Sequence, residues 1–246
     1  MGEAYIVDAI RTPVGKRGGG LADEHPADLG AHAIKGLIDR TGIDPLAVDD
    51  VIMGCLDNMG PQAGDIARTA WLAAGMPEAV PGVTVDRQCG SGQQAVSFAA
   101  MGVMSGVQDI VVAGGMQNMS LIPIGSAMDV MSHETIGHPE IEDPYSTSKG
   151  WVERYGTQEV SQFRGAELIA KKWGLSRGDL EEFALESHER AARAQDEGRF
   201  DNEILPYGEV TQDEGVRRGS TLEKMAQLSP LEEGGVITAA VASQIS

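Results

Sequence analysis

Within the first 120 residues, short apolar runs suited to buried strands alternate with longer stretches of helical spacing, and that alternation restricts the chain to very few topologies. Residues 5–10, 50–53, 83–85 and 110–115 read as strands. Residues 28–40, with Leu29, Ala33 and Leu37 four apart, read as a helix; so do residues 63–74, with Ile66, Ala70 and Leu72 on the apolar side, and the segment from Cys89 to about Ser105. Strands joined through helices pair in parallel, which predicts an α/β domain whose sheet is mixed and largely parallel, covered by helices.

The pattern changes near Ser120. Residues 123–151 are rich in Met, Pro, Ser, His and acidic side chains without a period, and helical patterns follow. The clearest begins at Ser176-x-x-Asp179, a capping arrangement, and carries Leu180, Phe183, Ala184, Ala191 and Ala194 to a stop at Gly198. Residues 236–240 are strand-like again. The expected division is an α/β domain over 1–120, a mostly helical loop domain over 121–235, and a return segment over 236–246. That last segment reads as an unfinished element, so a fragment is expected.

Charge removes several functions from consideration. With 19 Lys and Arg against 37 Asp and Glu, the net charge of −18 opposes nucleic-acid binding, and any anionic ligand would need locally placed arginines. No signal peptide and no apolar run of membrane-spanning length is visible, so a cytoplasmic protein away from membranes is expected. Cys55 and Cys89 lack the spacing of a disulfide framework or a zinc site, which fits the same compartment. His133 and His138 lie among acidic residues at a spacing that is not a recurrent ligand arrangement, so no metal is expected. The run from Gly15 to Gly20 lacks the Gly-x-x-x-x-Gly-Lys-Ser/Thr of a phosphate loop and reads as a flexible turn. Cys55, just after a strand with no flanking base, reads as a packed core thiol, and the methionines, Met101 and Met104 among them, read as core fillers.

Cys89 is different. It sits in Asp86-Arg87-Gln88-Cys89-Gly90-Ser91-Gly92, where a β-branched run meets a glycine-flanked turn and then a small, apolar stretch. That places a thiol at a helix start, where unpaired amides and the helix dipole favour a nucleophilic sulfur. Taken alone, the position also suits a buried cysteine.

The residues around Cys89 resemble the active-site segment of thiolases, and the likeness extends through the chain. Arg11-Thr12-Pro13-x-Gly15, the run from Gln62 to Arg68, Gly114-Gly115-Met116-Gln117-Asn118-Met119-Ser120, Phe183-Ala184-Leu185-Glu186-Ser187-His188 and Thr221-Leu222-Glu223-Lys224-Met225 are all similar to thiolase signatures, in order. The segments 155–165 and 238–245 are most similar to bacterial degradative thiolases, including those acting on steroid side chains. Ala240-Val241 departs from the Gly-Asn many thiolases carry, which alters packing beside bound pantetheine.

The resemblance implies a thiolase-like fold, N-terminal half plus inserted loop domain, with the C-terminal thiolase domain absent. It implies thiolytic cleavage of 3-ketoacyl-CoA by CoA, or the reverse Claisen condensation, through an acyl-Cys89 intermediate, with the Cys89 amide as an oxyanion donor. Coenzyme A is then a substrate rather than a resident cofactor, with Arg217 and Ser243 as its binding residues; the histidine many thiolases place beside pantetheine is matched most nearly by Ser161 and Gln162. The family's histidine, in a Gly-His-Pro segment, and its second cysteine belong to a second half, and Gly137-His138-Pro139 is not a substitute because no Asn-Gly-Gly precedes it. Activity is therefore expected of the complete enzyme, as a homodimer or homotetramer. Two alternatives are a noncatalytic or partner-dependent acyl-CoA-binding subunit of the same fold, and another condensing enzyme such as a ketosynthase or 3-hydroxy-3-methylglutaryl-CoA synthase.

Overall fold

A computed structural model describes residues 2–129 and 144–246. The chain divides into two compact units: Met1–Ala127 with Asp201–Glu214 and Ile245–Ser246, and Met128–Phe200 with Gly215–Gln244.

The first unit is built on a parallel sheet of three strands, β1 (Asp50–Gly54), β2 (Gly82–Val85) and β3 (Val111–Gly115), in the order β2-β1-β3. Ile52 lies opposite Val83 on one side and Ala113 on the other. Helices α1 (Pro26–Thr41) and α2 (Ile66–Ala73) belong to one layer and α3 (Ser91–Ser105) to the other. The period of two along β1 explains this: Val51 and Met53 join a core with Ile34, Ile66, Ala70 and Trp71, whereas Ile52 joins Ala95 and Ala99 of α3. Trp71 is wholly buried, and its indole N–H donates to the Pro77 carbonyl at 2.8 Å.

Residues 5–10 do not form the fourth strand that their apolar pattern predicts. Tyr5, Ile6 and Val7 are exposed, and among the described residues the nearest β-type pairing is the bridge between Arg11 and Ile204. Periodicity measures fitness for a strand, but a strand exists only where a neighbour offers its hydrogen bonds. Between this segment, α1 and the open edge of β3 lies a cavity of about 270 Å³, lined by Ile10, Val14, Ile34, Val112 and Gln117 among others. Met101 and Met104 are also corrected: both lie on the outer face of α3 with Phe98, and all three are exposed rather than core.

Residues 201–214 tie the start of the chain down. Arg11 donates two bonds to Asp213, at 2.6 and 3.0 Å, and one to Glu203 at 2.8 Å, while the Leu205 amide donates to the Arg11 carbonyl. A buried polar hub orders the neighbouring loops: Asn118 Nδ2 donates to the carbonyls of Leu21, Ala22 and Glu24, and its own amide donates to Gln62 Oε1. The short helix α4 (Ser126–Asp129) follows.

The second unit contains α5 (Lys149–Tyr155), α6 (Gln162–Trp173), α7 (Arg177–Asp196) and α8 (Leu222–Met225). The expected cap at Ser176 is present as a reciprocal capping box with Asp179. Residues 236–240 make no strand; the amides of Val236 and Ile237 donate to the Glu167 carboxylate, and Thr238 makes only an isolated bridge with Pro230. Side-chain capture of those amides uses the donors a strand would need. Among the described residues no helix is long and apolar enough to cross a membrane.

Candidate active site

Cys89 stands on a turn between β2 and α3, and its thiol is exposed. Three contacts shape the turn. Asp86 accepts the Gln88 amide at 2.8 Å, and the buried Ser91 hydroxyl donates to the Gln88 carbonyl at 2.6 Å while accepting the Arg87 amide at 2.8 Å. Gln88 is driven to φ 49°, a left-handed conformation that costs a side-chain-bearing residue about 1–2 kcal/mol. Residues held in such conformations concentrate at functional sites. Gly90 caps α3, and among the described residues the Cys89 amide has no hydrogen-bond acceptor. A thiol open to solvent beside an unclaimed backbone donor can attack an acyl carbon and stabilise the oxyanion that results.

Glycines let the helix start reach the sheet. A Cβ on Gly54 would overlap the backbone of Ser91 and Gly92, and one on Gly115 would come within 2.8 Å of the Gly54 carbonyl oxygen and 3.5 Å of the Gly92 Cα. The first turn of α3 therefore rests directly on strand backbone, which fixes the height of Cys89 above the sheet.

Cys55 contrasts with Cys89. It is buried in the core, and burial, with the negative charges of Asp86 and Asp57, pushes its thiol up to about 11, which leaves it protonated and inert at neutral pH.

The nominated CoA residues, Arg217 and Ser243, belong to the second unit, and both are exposed. Among the described residues neither the Arg217 guanidinium nor the Ser243 hydroxyl has a hydrogen-bond partner, so each can receive a ligand. Ser161 is occupied, capping α6 by accepting the amides of Phe163 and Arg164. The glycine turn at 15–20 is filled from within: Glu214 accepts the amides of Lys16 and Gly20, so a carboxylate stands where a phosphate would have to enter. His133 and His138 lie outside the described residues, and among the described residues no cluster of His, Cys, Asp and Glu could hold a metal ion.

The model of the thiolase N-terminal domain matches residues 4–246. The chain belongs to the thiolase family. The thiolases it is similar to include a steroid 3-ketoacyl-CoA thiolase, FadA6, of Mycobacterium tuberculosis, 62% identical over 250 residues that cover 100% of this chain and 60% of the relative. A beta-ketoadipyl-CoA thiolase of Escherichia coli is 36% identical over 264 residues, covering 100% of this chain and 64% of the relative. Among solved structures, the Bacillus anthracis acetyl-CoA acetyltransferase superposes with a TM-score of 0.77 at 31% identity, covering 99% of this chain and 63% of that one. The chain thus spans about 60–64% of the length of the thiolases it matches, and its α/β architecture is the thiolase fold.

Sequence reasoning missed Gln88, whose strained backbone has no side-chain signature, and the two hydrogen bonds of the Ser91 hydroxyl to the turn, which its place two residues after the cysteine could have suggested. It also missed His188, whose ring accepts the Arg217 amide.

Proposed function

We propose that this thiolase chain carries the nucleophile that transfers an acyl group between 3-ketoacyl-CoA and CoA, with Cys89 as the acyl carrier. The exposed Cys89 sulfur on its strained turn, beside an unclaimed amide, is the observation that carries the reading. The sulfur bonds to the ketone carbon of 3-ketoacyl-CoA. The bond between C2 and C3 then breaks, its electron pair stays on C2 and takes up the proton given up by the Cys89 thiol, which yields acetyl-CoA, and the shortened acyl group remains on Cys89 as a thioester. The sulfur of CoA attacks that thioester, forms the new acyl-CoA and expels the Cys89 sulfur. The Cys89 amide donates to the oxyanion of the thioester step; removing one such donor typically costs on the order of 10²–10³ in rate. Arg217 and Ser243 hold CoA, the guanidinium by pairing with phosphate or stacking on adenine, and the hydroxyl by bonding a pantetheine amide.

The reaction is proposed for a thiolase of full family length, acting as a homodimer or homotetramer in the cytoplasm. The 62% identity to a steroid thiolase supports a steroid-derived acyl group as the physiological substrate.

Intact-protein mass spectrometry after incubation with an acyl-CoA, followed by peptide mapping, tests the assignment. The acyl mass is expected on Cys89 and is lost in Cys89→Ala. An adduct on another residue, or turnover retained in Cys89→Ala, overturns it.

A further inference from the structure

Two adjacent arginines in the second unit are held very differently. Arg218 is consumed by the fold: its guanidinium pairs with Asp196 at 2.8 Å and donates to Gln195 Oε1 and the Ala192 carbonyl, all on α7 or its end. Arg217 has an unpaired, exposed guanidinium, yet its backbone is held from several sides. Its amide donates to His188 Nδ1 at 3.3 Å, its carbonyl accepts from the Ser220 hydroxyl at 3.5 Å, and Lys224 Nζ donates to the Gly219 carbonyl at 3.0 Å. A long cationic side chain presented from a fixed backbone loses less entropy on binding an anion than one presented from a loose loop.

We propose that His188 is a positioning residue for Arg217: by accepting the Arg217 amide through Nδ1 from the middle of α7, it holds the free guanidinium where it meets a phosphate of CoA. The inference rests on the reading of the chain as a CoA-binding thiolase. It requires the neutral ring with the proton on Nε2, because a protonated Nδ1 is a donor facing a donor. Burial, and then the Arg217 charge, hold the His188 ring below the usual histidine range, which favours that neutral form. The charged group acting on the ring from the 215–220 segment is Arg217, while Arg218, next in sequence, is turned to Asp196; on α7 itself Glu189 is adjacent in sequence and Glu186 pairs with Arg190. Protonation of His188 therefore both breaks the bond to the Arg217 amide and sets a second positive charge against Arg217.

Two variants separate this role from simple stability. His188→Ala removes the acceptor; His188→Asn keeps one, since the side-chain oxygen of Asn occupies nearly the place of Nδ1, and cannot titrate. In the full-length enzyme, KM for CoA is expected to rise about tenfold in His188→Ala with kcat within about twofold, the size of one lost hydrogen bond. His188→Asn restores a low KM. As pH falls below the usual histidine range, the wild-type KM for CoA rises while that of His188→Asn stays flatter; titration of the phosphates of CoA is common to both and cancels in the comparison. A readout free of CoA accompanies this: in ¹⁵N-labelled protein the Arg217 amide shift follows the His188 ring titration, and does not move over that range in His188→Asn. A wild-type enzyme that binds CoA while His188→Ala leaves its KM unchanged, or an Arg217 amide that ignores the His188 titration, overturns the inference alone. CoA failing to bind the wild-type enzyme overturns the thiolase reading and this inference with it.

Discussion

Gln88 pays for the placement of Cys89 with its own backbone. Its φ of 49° is a conformation glycine adopts freely, so Gln88→Gly is expected to keep the fold and leave the melting temperature unchanged or slightly raised, despite the flexibility glycine adds to the unfolded chain. A β-branched Gln88→Val is expected to lose about 1–2 kcal/mol in denaturant unfolding, because its side chain crowds the same conformation further. The two thiols make a second residue-scale prediction. With iodoacetamide at pH 8, Cys89 is alkylated in the native protein, and Cys55 reacts only after unfolding, since it is buried with its pKa pushed up to about 11. Peptide mapping of native and denatured samples checks this, and equal labelling of both cysteines in the native state would contradict it. At this scale the sequence was informative about the sulfur and silent about its support. A cysteine in a glycine-flanked strand-to-helix turn is legible as a motif, but the dihedral of Gln88 and the paired bonds of Ser91 follow from how the chain turns, which no residue type declares.

At the scale of elements, the approach of α3 to the sheet is the sharpest constraint. Gly54→Ala would force its Cβ into the backbone of Ser91 and Gly92. Backbone cannot step aside as a side-chain tip does, so a loss of roughly 1–3 kcal/mol or more is expected, together with slower alkylation of Cys89 as the start of α3 lifts; a wild-type melting temperature in Gly54→Ala would contradict a direct seat of α3 on the strand backbone. The three paired strands and the helices α1, α2 and α3 were legible, because each buries one face against a neighbour and the period of its apolar residues records that burial; α7 was legible from its Ser176–Asp179 cap instead, since Phe183 of its apolar run is exposed. Residues 5–10 and 236–240 carry strand-like composition without strand pairing, and no local pattern distinguishes the two conditions. Met101 and Met104 failed for the opposite reason: helical spacing identifies an apolar face, not what covers it.

Across the whole molecule the negative charge is excessive in sum but placed with purpose. The first unit is closed by the Arg11 cluster, in which burial pushes the Asp213 carboxyl up and the bonds from Arg11 and the Val14 amide more than offset that, holding it below the usual carboxylate range. A carboxyl depressed in the folded state contributes its full stabilisation above the pKa of the unfolded chain and loses it as pH falls through the folded value. Asp213→Asn is therefore expected to cost about 1.5–3 kcal/mol at neutral pH, with the gap between variant and wild type closing below about pH 4; thermal melts of both proteins from pH 7 to pH 3 measure it. His188 works with the same sign in the second unit, where its neutral form is favoured, so that stabilisation fades as pH falls below about 6.5.

The burial of Trp71 gives the molecule an internal optical reporter. The chain has three tryptophans, and Trp71 belongs to the first unit whereas Trp151 and Trp173 belong to the second. An indole sealed from water emits at shorter wavelength than one that, like Trp173, is 64% exposed. With Trp151 and Trp173 replaced by Phe, the remaining fluorescence follows the sheet-bearing unit alone, whereas far-ultraviolet circular dichroism, to which the helices of both units contribute, follows the two together. Whether the two units melt together or in turn can then be read from a single sample in two colours.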